Sequence, residues 1–275
     1  MNRLQNRLQF ESSILESIYE KISDIDSIKK SWIYISKSFD FDQSFTKSVI
    51  ITSTGSSNRI EGILLSDEEV EKIYKNISQQ NLQTKNEKDV QGYLKVLEII
   101  FENYNEIKLS ESNILNFHKI MMEDGGTYKK TNNRVEARNE KNEIIGIIFE
   151  PTPPYLVQKE MQELIEWYHF AIDKKHPLIL IANFIFEFLA IHPFLDGNGR
   201  MSRLLTNLLL LQNGYLFTKA SSHEKIIETR KADYYLALRK TQSSWKMDKE
   251  NIYPWLKFFL EVVKDQGDAS ISTII

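Results

Sequence analysis

Cysteine is absent from the 275 residues of this chain. Its absence excludes disulfide bonds, zinc sites built from thiolates and catalysis by a thiol nucleophile, and it gives no support to secretion. An excess of one charge is also missing, because the formal net charge is only −3. The composition therefore gives no general electrostatic case for nucleic acid as a partner. We expect a cytoplasmic protein.

A leader and a membrane span are missing from the pattern as well. Met1–Phe10 lacks the apolar centre of a signal peptide. The most apolar run, Pro177–Phe194, is interrupted by Asn183 and Glu187 and falls short of the ~20 residues that a membrane span requires. We expect no membrane contact, and we interpret this run as the central helix of a soluble bundle.

Helical signals recur along most of the chain. Ser66 to Glu69 form a capping box, and Asp89–Tyr104 carries an apolar stripe at helical spacing. Further predicted helices cover Pro153–Ala171, Ser221–Gln242 and Tyr253–Asp265. Only Arg134–Arg138 and Ile144–Phe149, on either side of a polar turn at Asn139–Glu143, favour extended structure. The predicted fold class is all-α with one β-hairpin.

The segment His192–Arg203 carries most of the chemical information. It is a short polar bend between two apolar runs. Gly197, Asn198 and Gly199 let the backbone turn sharply and approach an anion closely. The helix that follows, from about Arg200, directs its free N–H groups toward the same point. A phosphate group fits such a site.

Charged side chains extend this chemistry. Arg200 and Arg203 lie on a first helical turn, where they oppose the helix dipole and need an anionic partner. Asp196 is a hard oxygen ligand suited to Mg²⁺ shared with a phosphate, and His192 can accept a proton near neutral pH. Together they predict nucleotidyl or phosphoryl transfer. Taken singly, each residue also has an ordinary interpretation as a cap, a turn or a core residue.

These residues resemble the Fic family, whose signature H-x-F-x-[D/E]-G-N-G-R-x-x-R is met at every specified position from His192 to Arg203. The similarity extends over roughly Ser44–Val263. It implies the Fic fold, a helical bundle with a β-hairpin flap. The implied parts are an N-terminal helical extension at 1–85 with an inhibitory motif, a Fic core domain at 86–265 and a polar tail at 266–275.

The resemblance implies a protein adenylyltransferase, which moves AMP from ATP to a Ser, Thr or Tyr hydroxyl of a target protein. His192 would be the general base, and Asp196 would hold Mg²⁺. Arg203 would lie nearest the γ-phosphate, and Tyr235 would contact adenine. The nucleotide-binding residues implied in this way are Gly197, Asn198, Gly199, Arg200, Arg203 and Tyr235. The implied partners are ATP and a protein with an exposed hydroxyl, and a homodimer is a hypothesis from analogy alone.

An upstream segment, Ser57–Gly62, resembles the family's inhibitory motif, [S/T]-x-x-x-E-[G/N], which begins here at Ser57. Without the resemblance, the same pattern is typical of a helix end with Gly62 at the C′ position. The resemblance implies that Glu61 pairs with Arg203 and takes the guanidinium that the γ-phosphate of ATP needs. The enzyme would then be autoinhibited in cis.

Three alternatives stay open. Glu61 can orient water at the same site, so that the protein removes AMP instead of adding it. The site can also transfer another phosphate-linked group. A regulator that senses nucleotides without turnover would keep the loop but would not need His192 or Asp196.

Overall fold

A computed structural model describes residues 2–38, 43–75, 84–138 and 144–272. Over these ranges the chain is mainly helical. The helices are α1 (Asn2–Asn6), α2 (Ser12–Ser38), α3 (Gln43–Ile60), α4 (Asp67–Lys75), α5 (Lys85–Asn103), α6 (Glu111–Met121), α7 (Pro154–Ala171), α8 (Pro177–Ile191), α9 (Asn198–Gln212), α10 (His223–Thr229), α11 (Lys231–Gln242) and α12 (Tyr253–Ser272). A 3₁₀ turn, Leu216–Lys219, follows α9.

Helix α8 is the centre of the bundle. Every residue from Leu178 to Ile191 is buried, and the helix packs against α7, α9 and α12. Pro177 occupies its first turn, where a missing N–H costs nothing, and the His176 side chain accepts from the backbone of Leu178. No helix within the described ranges has the length and apolar composition to cross a bilayer.

The N-terminal helices are part of the same core. Helix α2 packs along α12, while α3 packs against α5 and α10. Apolar residues from both sides of position 85, such as Ile25 and Val263, are fully buried in one continuous cluster. The hydrophobic packing therefore crosses the predicted boundary between extension and core, and that boundary stays a prediction.

Two short strands precede α7. The backbone of β1 (Val135–Arg138) pairs antiparallel with β2 (Ile144–Phe149), so that Val135 lies opposite Phe149. Irregular register shifts interrupt the pairing. The polar turn predicted at 139–143 lies outside the described residues.

Two sequence-based expectations about helices are wrong. The helix predicted over Ser221–Gln242 is two helices, because the backbone at Arg230 leaves helical geometry with φ −111° and ψ 31°. Its cap is Ser222 rather than Ser221, since the Ser222 hydroxyl accepts from the backbone N–H of Lys225 at 3.0 Å. No glycine or proline marks this break, and periodicity alone does not show it.

The predicted polar tail is also helical over most of its length. Helix α12 continues to Ser272, and Gln266 is fully buried with its amide nitrogen donating to the Ser221 carbonyl at 2.8 Å. Gly267 allows Ile28 of α2 to approach so closely that any side chain there would collide with it. Gln266, Gly267 and Ser270 are therefore buried, whereas Asp268 and Ala269 are exposed.

Candidate active site

The loop between α8 and α9 turns through two left-handed residues. His192 ends α8 with φ 53°, and its backbone N–H donates to the Phe188 carbonyl at 2.9 Å. Gly197 begins α9 with φ 79°, a conformation that a glycine adopts without steric cost. A left-handed histidine is uncommon, so the surroundings must hold it in place.

Side-chain contacts fix the loop from inside the protein. Phe194 is fully buried, and the His118 ring stacks on it at 3.6 Å. The Asn198 amide accepts from the Phe194 N–H at 2.9 Å and donates to the Phe194 carbonyl at 2.8 Å. The Asn198 side chain, predicted at the nucleotide, is thus committed to the loop, and its backbone N–H remains for a ligand.

The first turn of α9 presents unsatisfied donors. Within the described residues, the backbone N–H groups of Asn198, Gly199 and Arg200 meet no acceptor. Two buried guanidinium nitrogens, Nε of Arg200 and Nη1 of Arg203, also have no partner there. Buried donors are costly to leave unpaired, so this concentration of donors fits an anion.

Arg203 is held by the end of α3. Its Nη2 lies 2.7 Å from Oε1 of Glu61 and donates to the Ser57 carbonyl at 2.9 Å, while its Nε donates to the Ser57 hydroxyl at 2.8 Å. Burial alone would lower the pKa of Arg203, but Glu61 and neighbouring groups raise it above its ordinary value. The predicted inhibitory residues and the predicted phosphate ligand are therefore brought together.

Glu61 also covers the start of α9. A Cβ atom placed on Gly199 would overlap the Glu61 carboxylate, so the two residues are in direct contact. Glu61 follows the last residue of α3, and Gly62 ends the helix with φ 94°. The helix-end interpretation and the ion pair are compatible. The end of α3 places the Glu61 carboxylate over the N-terminus of α9.

Arg200 has a different environment from the one expected. Its Nη1 lies 3.0 Å from Oδ2 of Asp89 on α5, and both side chains are buried. Its Nη2 lies 3.5 Å from Oδ1 of Asp196. Sequence reasoning missed Asp89, for which the only signal was a carboxylate next to the apolar stripe of α5.

Asp196 is the exposed carboxylate of the loop, with 63% of its side chain accessible. Its Oδ1 accepts from the backbone of Gly197 at 2.6 Å, and no hydrogen bond engages Oδ2 within the described residues. Those residues contain no cluster of three or more metal-ligating side chains. A single carboxylate beside an anion site fits Mg²⁺ that takes its other ligands from phosphate and water, but it does not fit a metal held by protein alone.

His192 is arranged as a base. Its Nδ1 lies 3.2 Å from the Leu189 carbonyl, which can only accept, so Nδ1 carries the proton and Nε2 keeps its lone pair. Burial lowers the pKa of His192 to about 4. The ring is therefore neutral at physiological pH.

A cavity of about 680 Å³ opens beside these groups. Glu61, His192 and Gly199 line it together with residues of α11, including Tyr235. The Tyr235 side chain is 45% exposed, whereas the preceding Tyr234 is buried in the core. Asp196 lines a second cavity of about 530 Å³, together with His118 and Lys129.

The chain matches known proteins in this region and beyond. The model of the Fic/DOC family matches residues 108–210. A probable protein adenylyltransferase from Aquifex aeolicus is 25% identical over 198 residues, which are 70% of this chain and 61% of that protein. A Fido domain-containing protein from Dictyostelium discoideum is 39% identical over 87 residues, 30% of this chain and 61% of that one. The chain thus accounts for 61% of the length of both relatives.

The fold agrees with that match. A Fic family protein from Desulfovibrio desulfuricans superposes with a TM-score of 0.78 over 96% of this chain and 76% of its own, at 23% identity. At that identity the similarity bears on the fold alone, and the helical bundle described above is the fold of that protein. Residues 108–210 therefore carry a Fic/DOC family domain, and the fold of the chain agrees with that match.

Proposed function

We propose that the protein is an adenylyltransferase that moves AMP from ATP to a Ser, Thr or Tyr hydroxyl of a target protein. One observation carries the proposal: a carboxylate, Glu61, lies over the donor-rich N-terminus of α9 beside a neutral His192. That is the arrangement of an anion site filled by an internal mimic. The name of the Aquifex relative supports the same activity.

The phosphate site would consist of backbone and guanidinium donors. The N–H groups at Asn198, Gly199 and Arg200 would take the α-phosphate region of ATP. Arg203, whose Nη1 has no partner within the described residues, would contact the γ-phosphate. Tyr235 lines the same cavity and would contact adenine. Such preformed donors stabilise charge that develops during transfer.

Asp196 would hold Mg²⁺ through its exposed carboxylate. When bound, Mg²⁺ supplies charge neutralisation and orientation of the phosphates. The contacts of Asp196 Oδ1 with Gly197 and Arg200 keep this side chain on the loop. Nε2 of His192 would accept the proton of the incoming target hydroxyl, and the bond from Nδ1 to Leu189 fixes the ring for this role. The oxygen would then attack the α-phosphorus, and pyrophosphate would leave.

Glu61 and Ser57 would restrain the reaction. Glu61 pairs with Arg203 and covers Gly199, so the γ-phosphate and this carboxylate compete for one place. Ser57 supplies two further bonds to Arg203 from the last turns of α3. Movement of α3 would remove all three contacts at once.

The strands would serve as a flap that receives the target. An extended target segment would pair with the edge of β2, Ile144–Phe149, and would bring its hydroxyl toward His192. Arg134, which precedes β1, lines the nucleotide cavity, so the strands begin beside the reacting groups.

The test is transfer of label from α-labelled ATP, with Mg²⁺, to the protein itself and to proteins of a lysate. We expect little transfer by the wild type and at least about tenfold more by Glu61→Gly, because the γ-phosphate then reaches Arg203. Glu61→Ala should behave in the same way without the added backbone freedom of glycine. Adding His192→Ala to either variant should abolish transfer while ATP binding persists.

Other outcomes separate the alternatives. Label from γ-labelled ATP in place of α-labelled ATP would indicate phosphate transfer. Release of AMP from a modified protein by the wild type, lost in Glu61→Gly, would indicate removal. No transfer and no release by any variant that binds ATP would leave a nucleotide sensor.

A further inference from the structure

The carbonyl groups of the catalytic loop are held by donors from outside the loop. The backbone N–H of Lys129 donates to the Pro193 carbonyl at 2.9 Å, and its Nζ donates to the Ile191 carbonyl at 3.3 Å. The Asn133 amide donates to the Phe194 carbonyl at 2.8 Å. Lys129 thus binds the residue before His192 and the residue after it.

Lys129 is unusually placed for a lysine. The residue is only 4% exposed, and its Nζ also donates to Oδ1 of Asn133 at 2.7 Å. Among the described residues no carboxylate lies within ion-pair distance of its Nζ; burial lowers the pKa of Lys129 to about 8, and the charge of Glu160 acts to raise it. The charge of Lys129 lies at the C-terminal end of α8, where unsatisfied carbonyls carry partial negative charge. The contacts of this buried cation are therefore mainly with the backbone around His192.

His192 needs such support. A non-glycine residue at φ 53° carries strain and persists only where its surroundings over-determine the conformation. The bond from its own N–H to Phe188 fixes one side of the residue. The bond from the backbone N–H of Lys129 to Pro193 would persist in any substitution, so the side chain contributes the bond from Nζ to the Ile191 carbonyl. Without that bond the Ile191 carbonyl would be free to turn, and the imidazole would turn with it.

Resting on the function proposed above, we propose that Lys129 is a positioning residue for His192. It holds the left-handed backbone that aims Nε2 into the nucleotide cavity. Direct contact between Lys129 and the nucleotide is a poorer explanation, because its Nζ is already engaged by Asn133 and the Ile191 carbonyl.

The charge of Lys129 acts in the same direction as its hydrogen bonds. Burial is the main cause of the low pKa of His192, and Lys129 lowers it further. Glu61 and Asp196 face the same ring and raise its pKa. Loss of Lys129 would both loosen the ring and raise its pKa toward the ordinary value of ~6.5.

The test uses the full chain in a Glu61→Gly background, with Lys129→Met, Lys129→Arg and the exposed neighbour Lys130→Met as the matched control. We expect Lys129→Met to lower kcat about 10- to 100-fold, because small misplacement of a base is costly, with KM for ATP within about twofold. Lys129→Arg should recover most of the loss, since it keeps the charge and the donors. Lys130→Met should leave both constants unchanged.

A second readout does not depend on transfer. NMR titration of the His192 ring should show a pKa higher by about half a unit or more in Lys129→Met, and unchanged in Lys130→Met. If no variant transfers AMP, this titration still decides the role of Lys129, so failure of the proposed function is distinguishable.

Two results would overturn the proposal. One is an unchanged kcat with a raised KM in Lys129→Met, which would indicate a binding residue. The other is a His192 titration that Lys129→Met does not move. Should Lys129→Met fail to fold, Asn133→Ala gives the same two readouts, since Asn133 holds both Lys129 and the Phe194 carbonyl.

Discussion

Two buried clusters of arginines and carboxylates differ in how completely their partners satisfy them. We call the first the N-terminal clamp, formed by Arg3, Arg7, Glu187 and Glu250. Nη1 of Arg7 lies 2.6 Å from Glu187, and its Nε donates to Asn183 at 2.5 Å. Burial would raise the pKa of Glu187, yet Arg7 and Arg3 hold it below its ordinary value. Within the described residues, no buried side-chain atom of the clamp lacks a partner.

The second, the loop cluster, is formed by Arg200, Arg203, Asp89 and Glu61. Both arginines are as buried as Arg7, but each keeps a nitrogen with no partner among the described residues. One carboxylate, Glu61, has 34% of its side chain exposed. The comparison indicates that the clamp is a permanent element of the core. In the loop cluster, by contrast, the proposed function makes Glu61 a partner that a ligand would replace.

Breaking the clamp should give the largest effect. Glu187→Ala removes the carboxylate that Arg3 and Arg7 share and leaves the buried Arg7 with Glu250 at 3.0 Å as its remaining carboxylate partner, so we expect the free energy of unfolding to fall by about 3 kcal/mol. The urea midpoint measures it, with an unchanged m-value. The control is Glu123→Ala, which removes an exposed pair with Lys88 and should cost less than about 1 kcal/mol. Equal losses in both variants would contradict a permanent clamp.

Breaking the internal pair of the loop cluster should come next. Asp89→Ala leaves Arg200 with Asp196 at 3.5 Å, so we expect a loss of about 2–3 kcal/mol and weaker AMP transfer in the Glu61→Gly background. Asp89→Asn keeps the shape and one acceptor, so its free energy of unfolding, measured with urea, should fall by less. An Asp89→Ala variant with an unchanged free energy of unfolding would show that Arg200 has sufficient partners elsewhere.

Removing the replaceable partner should cost much less. Glu61→Ala leaves both Ser57 contacts with Arg203 in place, so we expect a loss of about 1 kcal/mol or less. Saturating ATP should then stabilise this variant by roughly 2–3 kcal/mol at 100 times Kd, and the wild type by less. Thermal unfolding with and without ATP measures both. A loss as large as that of Glu187→Ala would erase the distinction between the clusters.

The last expected effect is a pH dependence, which is absent near neutral pH and appears only on acidification. Because the pKa of His192 is about 4, its neutral form persists down to mildly acidic pH. The kcat/KM of Glu61→Gly should therefore hold until pH falls through about 4, rather than through ~6.5. The same depressed pKa stabilises the fold above ~6.5, and this contribution is lost as pH falls toward 4. Unfolding measured at each pH separates the two, and an acid limb near ~6.5 would argue against a buried base.

The chemistry of the loop could be predicted from sequence because its residues are consecutive. His192 to Arg203 contain the base, the carboxylate and the donors within one turn and one helix start. Glu61 and Ser57 were predicted from the resemblance of Ser57–Gly62 to the inhibitory motif of the family, whereas the helix-end pattern alone indicated only that Gly62 occupies the C′ position. Neighbouring residues determine both the local chemistry and the local geometry.

The residues that support the loop could not be predicted, because they are distant from it in the sequence. Asp89 meets Arg200 from 111 positions away, and His118 meets the Asp196 carbonyl from 78. The sequence around Lys129 predicts a surface lysine, whereas the folded chain buries it. The break at Arg230 and the buried end of α12 depend likewise on packing between distant helices, which periodicity does not encode.

The N-terminal clamp also has a consequence for the order of folding. Arg3 and Arg7 bond Glu187 across 184 and 180 positions, and both bond Glu250 across still greater separations. During synthesis the short helix α1 must therefore wait, with its arginines in water, until the central helix and the segment before α12 have emerged. Closing such long loops is slow, so docking of α1 should be a late step. A fusion partner that keeps Arg3 and Arg7 away from Glu187 and Glu250 would stop folding before α1 docks.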